Sequence, residues 1–545
     1  MTTRALRSRL LAFLYGEDAG AGIGRQVDEL LAKHDSSSGP PSEPWSERDS
    51  WLITYADQFQ RPGEAPLATL GWFFDRHFAP WLNGIHILPF YPWSSDDGFS
   101  VVDYLAVDPA NGSWEDIEAI AKSARLGVDA VVNHMSSQSA WFEAYLSGDP
   151  RFAEYFRTRR EGGDYSKVVR PRSLPLFTEF EASHGRVDVW TTFSADQVDL
   201  DFSNPRVLLA TLDVLLTYAR RGASFIRLDA IGFLWKEEGT TCIHLPQTHA
   251  VVQLLRASLQ DTYPGTLLLT ETNVPHEENI SYFGTEGTPE AQMVYQFPLA
   301  PLVLDAYATG DASTLSEWAA GLELPVPGTT FFNFLASHDG VGVRPLEGIA
   351  KRGAVGRLAD LTLRAGGRVS ERTGPDGTAV PYELNSTWLD LVAAGHDLEV
   401  AVLRHVGSHA IQLALQGIPG IYVHSLFGSA NDQQLLAETG RARSLNRSKF
   451  SDLSRLQEEM GRPGRTAAVF ASVRRLVMRR AADPAFHPDS EQQILDLPPG
   501  LFGVRRIAGS GESTTVVVNL ADRDQSVGLD GMTVRLEPFE TRWGV

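Results

Sequence analysis

Ala223-Ser-Phe-Ile-Arg227-Leu-Asp229-Ala-Ile-Gly232 is a short apolar run with two opposite charges set near its end. Its aliphatic and aromatic content predicts a strand buried inside a sheet. Burying an arginine and a carboxylate there is costly unless they are paired and used. Residues two apart on a strand share a face, so Arg227 and Asp229 project together into one space at the strand's carboxyl end. A structural ion pair would account for this stretch taken alone. What decides its reading is that the chain repeats the form.

Short apolar runs recur at Trp51–Tyr55, Ile85–Phe90, Val128–His134, Phe225–Asp229, Leu267–Glu271, Val294–Phe297, Phe331–Leu335 and Gly420–Val423, separated by longer amphipathic helical stretches. Eight such alternations predict an α/β fold, a (β/α)₈ barrel. Asp96, His134, Asp229, Glu271, His338 and Asp339 follow several of the strands. In a barrel those strand ends lie on one rim, so the groups converge on one pocket. A doubly wound sheet is the runner-up, but no Gly-rich phosphate loop opens a helix after the first strand.

Outward from the barrel, residues 1–142 comprise a helical N-terminal stretch, the loop Ser36–Pro44 and the first part of the barrel. Segments 143–205 and 340–395 are rich in Arg, Gly and Pro and read as irregular excursions above the rim, after the third and seventh strands. Residues 206–339 and 396–485 continue and complete the barrel. The last stretch, 486–545, reads as a small β domain with strands such as Ser513–Asn519. Trp72, Trp81, Trp93 and Trp190 are expected in buried barrel-helix packing.

The composition narrows the setting. At 545 residues and 43% hydrophobic content the chain can bury a large core. The single cysteine, Cys242, excludes an internal disulfide framework and fits a reducing compartment. Leu10–Tyr15 is too short for a signal-peptide core, and no apolar run approaches a membrane span. The expectation is a soluble, cytoplasmic protein without a membrane partner. A net charge of -20 argues against nucleic acid, and any anionic substrate then needs a local cationic pocket.

Breaking a glycosidic bond with retention requires a carboxylate nucleophile and a second carboxyl acting as acid and then base, about 5 Å apart. Asp229 and Glu271, on consecutive strands, can meet that geometry, and Asp339 supplies a third carboxylate from the seventh.

With Val131-Val-Asn-His134, Arg227-Leu-Asp229, Glu271 and Ser337-His-Asp339 in this order, the chain resembles the α-amylase family. The resemblance implies Asp229 as nucleophile, Glu271 as general acid/base and Asp339 as the carboxylate that stabilises the transition state. It also implies that Arg227 keeps Asp229 ionised, and that His134 and His338 bond sugar hydroxyls. Ser95–Ser100, Asp196–Leu200, Lys236–Cys242, Asn385–Thr387 and Leu445-Asn-Arg447 look like the sucrose phosphorylase branch, whose members transfer glucose to phosphate without a cofactor or metal. On matching positions Asp96 and Arg447 would clamp glucose, Phe99 would pack on its ring and Gln197 would shape the acceptor space. Tyr382 stands at the branch's acceptor-site tyrosine, and Phe233 is a further substrate-contact candidate. Glu383 departs from the glutamine of the sucrose enzymes.

Thr270–His276, Trp235-Lys236 and Cys242–His249 look like members acting on glucosylglycerate, glucosylglycerol or sucrose 6'-phosphate. The implied partners are therefore an α-glucoside, inorganic phosphate and an acceptor, D-glycerate being favoured, with a homodimer left open. Arg170 and Arg172 are the phosphate-binding candidates, helped by Lys236 and Arg344. A hydrolase, or an inactive amylase-like binding protein, are the readings from other classes.

Overall fold

The computed structural model describes residues 2–34, 43–373, 378–393 and 395–544. Eight strands close a parallel barrel: β1 Trp51–Thr54, β2 Gly84–Ile87, β3 Arg125–Ala130, β4 Ala223–Leu228, β5 Leu267–Thr270, β6 Met293–Tyr295, β7 Thr330–Asn333 and β8 Ile418–Tyr422. Each pairs with its neighbours in chain order, and β8 returns to β1 with Trp51 opposite Gly420. Nearly all their residues are buried, because helices cover the outer face and side chains fill the inner one. β3 stops at Ala130, earlier than its apolar run suggests. His134 instead opens a short antiparallel pair, His134–Ser136 with Gln197–Asp199, which places Gln197 beside Ser136.

The barrel interior is filled by rings. Trp51 and Phe225 stand 4.5 Å apart between centroids, and Phe225 and Phe332 5.8 Å. They come from β1, β4 and β7, which are not sheet neighbours, so these contacts cross the interior. Space for them is made by Gly84, Gly127 and Gly420, where a Cβ would come within 2.3 Å of the Trp51, Phe225 and Phe332 rings. The floor beneath the rim is therefore packed.

The segments expected to be irregular carry regular elements. Residues 143–205 contain the hairpin Phe177–Ala182 with Gly185–Trp190, and 340–395 contain a sheet of Val341–Gly342, Arg368–Thr373 and Ala379–Asn385 with the helix Ala354–Arg364. The hairpin alternates in sequence, Glu179 and Glu181 being exposed while Phe180 and Ala182 are half-buried. At the N-terminus two helices, Thr3–Tyr15 and Glu17–His34, pack on the helix Pro246–Thr262. Of the predicted loop Ser36–Pro44, residues 36–42 lie outside the described residues. The C-terminal part forms a four-stranded antiparallel sheet beginning at Glu491 and a separate hairpin, Gln525–Leu529 with Met532–Leu536. Trp81 is buried and Trp72 half-buried against the core, while Trp190 is buried in the hairpin of the 143–205 segment rather than under a barrel helix and Trp93 is 39% exposed. Among the described residues no helix is long and apolar enough to cross a membrane.

Candidate active site

Asp229 and Glu271 are the first residues beyond β4 and β5, so adjacent parallel strands deliver them side by side. Arg227 lies between and beneath them. Its Nη1 donates to Asp229 Oδ1 at 2.9 Å, and its Nη2 is 4.0 Å from Glu271 Oε1. The same guanidinium is bonded to the fully buried Asp129, whose other oxygen is 2.6 Å from His86 Nε2. The Phe99 and Tyr295 rings flank it at 5.6 and 5.5 Å. Ala230 adopts a left-handed backbone, φ 53°, unusual for a residue with a Cβ. Its N–H donates to Glu271 Oε2 at 3.2 Å.

Burial pushes the Asp229 carboxyl well above its usual range. Arg227 opposes the shift, while Glu271, Asp129 and Asp339 reinforce it. Arg227 pulls in the direction expected of it, toward the ionised form, against burial and the three neighbouring carboxylates. Glu271 is also raised, by burial and by Asp339. Both carboxyls are thus shifted toward their protonated forms. Arg227 bonds Asp229 at 2.9 Å but stands 4.0 Å from Glu271, so of the two carboxyls it is Asp229 whose charged form it favours more.

Asp339, nearby after β7, is set differently. Burial raises its carboxyl, but Arg443, Arg447, Arg227 and Arg172 together hold it below the usual range. Arg443 Nη1 is 2.6 Å from Asp339 Oδ1, and its Nε and Nη2 each donate to Glu383 at 2.9 Å. Glu383 also accepts from the Gly340 N–H at 2.6 Å. It is ionised in the same way, with Arg443 overcoming the cost of burial. Arg172 stands 4.0 Å from Glu383.

These groups line one cavity of about 1080 Å³, counting the space open to solvent. Asp96, Phe99, His134, Arg172, Gln197, Phe233, His338, Tyr382, Glu383 and Arg443 share its wall with the three carboxylates. Phe99 is stacked on His338, 4.6 Å between centroids and nearly parallel to it. His134 Nε2 lies 3.0 Å from the Phe99 carbonyl and 3.2 Å from Gln197 Nε2. Burial pushes both histidines down, so at neutral pH they are uncharged. The loop carrying Asp96 and Phe99 is tied down by Asp196, which accepts from Ser94 at 2.5 Å, Ser100 at 2.7 Å and Ser137 at 2.7 Å.

Four expected residues are not on that wall, Arg227 among them because it lies beneath Asp229 and Glu271. Arg170 is turned away and donates to the Leu174 carbonyl. Lys236 is buried in an ion pair with Asp199 at 2.8 Å and donates to Asn133 at 2.9 Å, which leaves it no role with phosphate. Arg447 lies behind the wall, donating to Asp97 Oδ2 at 2.5 Å and the His338 carbonyl at 2.8 Å. It is Arg443, unanticipated from the sequence, that faces Asp96, at 3.9 Å. Asp129 and His86 were likewise missed, although a buried Asp inside an apolar strand is the same signal that Arg227 gave.

The profile of the alpha-amylase catalytic domain matches residues 82–340. The chain is similar to the glucosylglycerate phosphorylase of Allomeiothermus silvanus, 47% identical over 98% of this chain and 97% of that one. It is also similar to the glucosylglycerate phosphorylase of Spirochaeta thermophila, 44% identical over 97% and 91%. Among solved structures, sucrose 6F-phosphate phosphorylase from Thermoanaerobacter thermosaccharolyticum superposes with a TM-score of 0.77 at 24% identity, covering 92% of this chain and 99% of that one. The chain therefore belongs to the α-amylase family, in the branch that includes the sucrose phosphorylases.

Proposed function

We propose that this chain is a retaining glucoside phosphorylase that transfers the glucosyl unit of 2-O-α-D-glucosylglycerate to inorganic phosphate, releasing α-D-glucose 1-phosphate and D-glycerate. The observation that carries the reading is the whole-length 47% identity to a glucosylglycerate phosphorylase. The meeting of Asp229, Glu271 and Asp339 in one cavity supports the chemistry.

In the proposed mechanism an Asp229 oxygen attacks the anomeric carbon while the bond from that carbon to the glycerate oxygen breaks. Glu271 donates its proton to the leaving oxygen, giving glycerate and a β-glucosyl ester on Asp229. An oxygen of hydrogen phosphate then attacks the same carbon, Glu271 takes up the proton, and the ester bond to Asp229 breaks. Two inversions return the α configuration. Asp339, held charged by Arg443, accepts from sugar hydroxyls, and Phe99 on its His338 platform packs against the ring. Segments 143–205 and 340–395 supply Arg172 and Glu383 to the acceptor end. The substrates are small molecules, and the one buried cysteine agrees with a cytoplasmic setting.

The test is glucose 1-phosphate release from a panel of glucosylglycerate, glucosylglycerol, sucrose and sucrose 6'-phosphate, with free glucose followed alongside. Phosphate-dependent glucose 1-phosphate from glucosylglycerate is the expected result. Free glucose formed without phosphate would make the chain a hydrolase.

A further inference from the structure

The reaction handles two anions in succession, and each needs a cation at the mouth of a carboxylate-lined cavity. Three arginines line that cavity. Arg443 is fully occupied by Glu383 and Asp339. Arg172 stands beside Glu383 at 4.0 Å. Arg344 is the third, and the mechanism above gives it no task.

Arg344 is fixed by backbone pairing. Val341 and Gly342 pair with Leu384 and Glu383, and the Val343 N–H donates to the Tyr382 carbonyl at 3.1 Å. The short 3₁₀ turn Arg344–Leu346 begins directly after. The side chain is mostly covered, with 17% exposed, yet its nearest carboxylate, Glu278, is 3.9 Å away, beyond hydrogen-bond reach. Its Nε has no hydrogen-bond partner among the described residues. Asn273 stands on the same wall, its amide pressed against Gly342, where a Cβ would come within 2.6 Å of it. The Asn273 Oδ1 is also buried without a partner. His244 completes the group, but burial, with His249 and Arg344 nearby, pushes its imidazole down to about 3. Arg344 is therefore the charged donor of this cluster at neutral pH.

We infer that Arg344, with Asn273 beside it, holds the carboxylate of the departing glycerate, and that phosphate is held separately by Arg172. A guanidinium with free N–H groups matches a carboxylate in charge and in planar geometry, and the unpartnered Asn273 Oδ1 can accept from the free hydroxyl of glycerate. The proposal rests on glycerate being the acceptor.

The experiment uses Arg344→Gln and Arg344→Lys in the full chain. Phosphorolysis is measured on glucosylglycerate and on glucosylglycerol, which carries a hydroxymethyl group in place of the carboxylate. Exchange of labelled phosphate into glucose 1-phosphate, without glycerate, reads the phosphate half-reaction and reports folding. Arg344→Gln is expected to lose on the order of 100-fold in kcat/KM on glucosylglycerate, with about threefold or less on glucosylglycerol and on exchange. Arg344→Lys is expected to recover part of the loss. Equal losses on both glucosides, or loss of exchange, would overturn the assignment. An unaltered chain that exchanges phosphate but does not act on glucosylglycerate would instead overturn the glycerate reading, and this inference with it.

Discussion

Arg443 grips Glu383 with two hydrogen bonds of 2.9 Å each, and the same guanidinium reaches Asp339 at 2.6 Å. One cation thereby joins the carboxylate that follows β7 to one carried by the 340–395 segment.

Replacing Arg443 by Ala removes the nearest cation from two largely buried carboxylates, leaving Arg447, Arg227 and Arg172 to compensate Asp339 and Arg172 to compensate Glu383. The expected cost is about 3 kcal/mol at pH 7, the low end for a broken buried pair because the Asp339 side chain is 26% exposed. In the native protein both carboxyls are held below their usual range, so they add stability above that range and lose it as pH falls. Without Arg443 both shift upward and take up protons earlier. Urea unfolding should accordingly show the gap between variant and native protein narrowing from pH 7 toward pH 5.

Glu271→Gln removes the transferable proton while preserving shape. Phosphorolysis of glucosylglycerate should fall roughly 10²- to 10⁴-fold. α-Glucosyl fluoride, whose leaving group needs no proton, should still load Asp229. Mass spectrometry of the variant should then show one added glucosyl unit, and peptide mapping should place it on Asp229.

Asp129→Asn tests the buried charge behind the nucleophile. Asp129 is among the neighbours that raise Asp229, so the neutral amide should lower it. The acid limb of the kcat/KM profile, set by Asp229 becoming protonated, should lie above the ordinary carboxylate range in the native enzyme and move to lower pH in the variant.

Arg172→Gln should raise the KM for phosphate by tenfold or more and leave formation of the glucosyl enzyme within about threefold. Burst and steady-state measurements at varied phosphate separate the two steps. Equal losses in both would remove Arg172 from the phosphate site.

Much of the barrel was legible because a parallel sheet buried on both faces writes its strands as unbroken apolar runs. Asp229 and Glu271 were legible because each is the first residue after such a run. Arg443 was not. Gly440-Arg-Ala-Arg-Ser-Leu-Asn-Arg447 offers three arginines in seven residues, and only the folded chain sends Arg441 and Arg447 to Asp97 and Arg443 to Glu383. Local spacing does not encode that choice. The surplus of carboxylates on the rim was nevertheless a sign that several cations had to lie close by. Arg170 and Lys236 failed for the same reason in reverse, since a basic residue in a loop gives no hint of which way it turns.

The aromatic plug formed by Trp51, Phe225 and Phe332 has a kinetic consequence. With the barrel packed from below, the cavity opens on the rim side, and in the proposed mechanism both glycerate and phosphate reach the glucosylated aspartate from that side. The two compete for the same loaded enzyme, and their relative abundance decides which way the traffic runs.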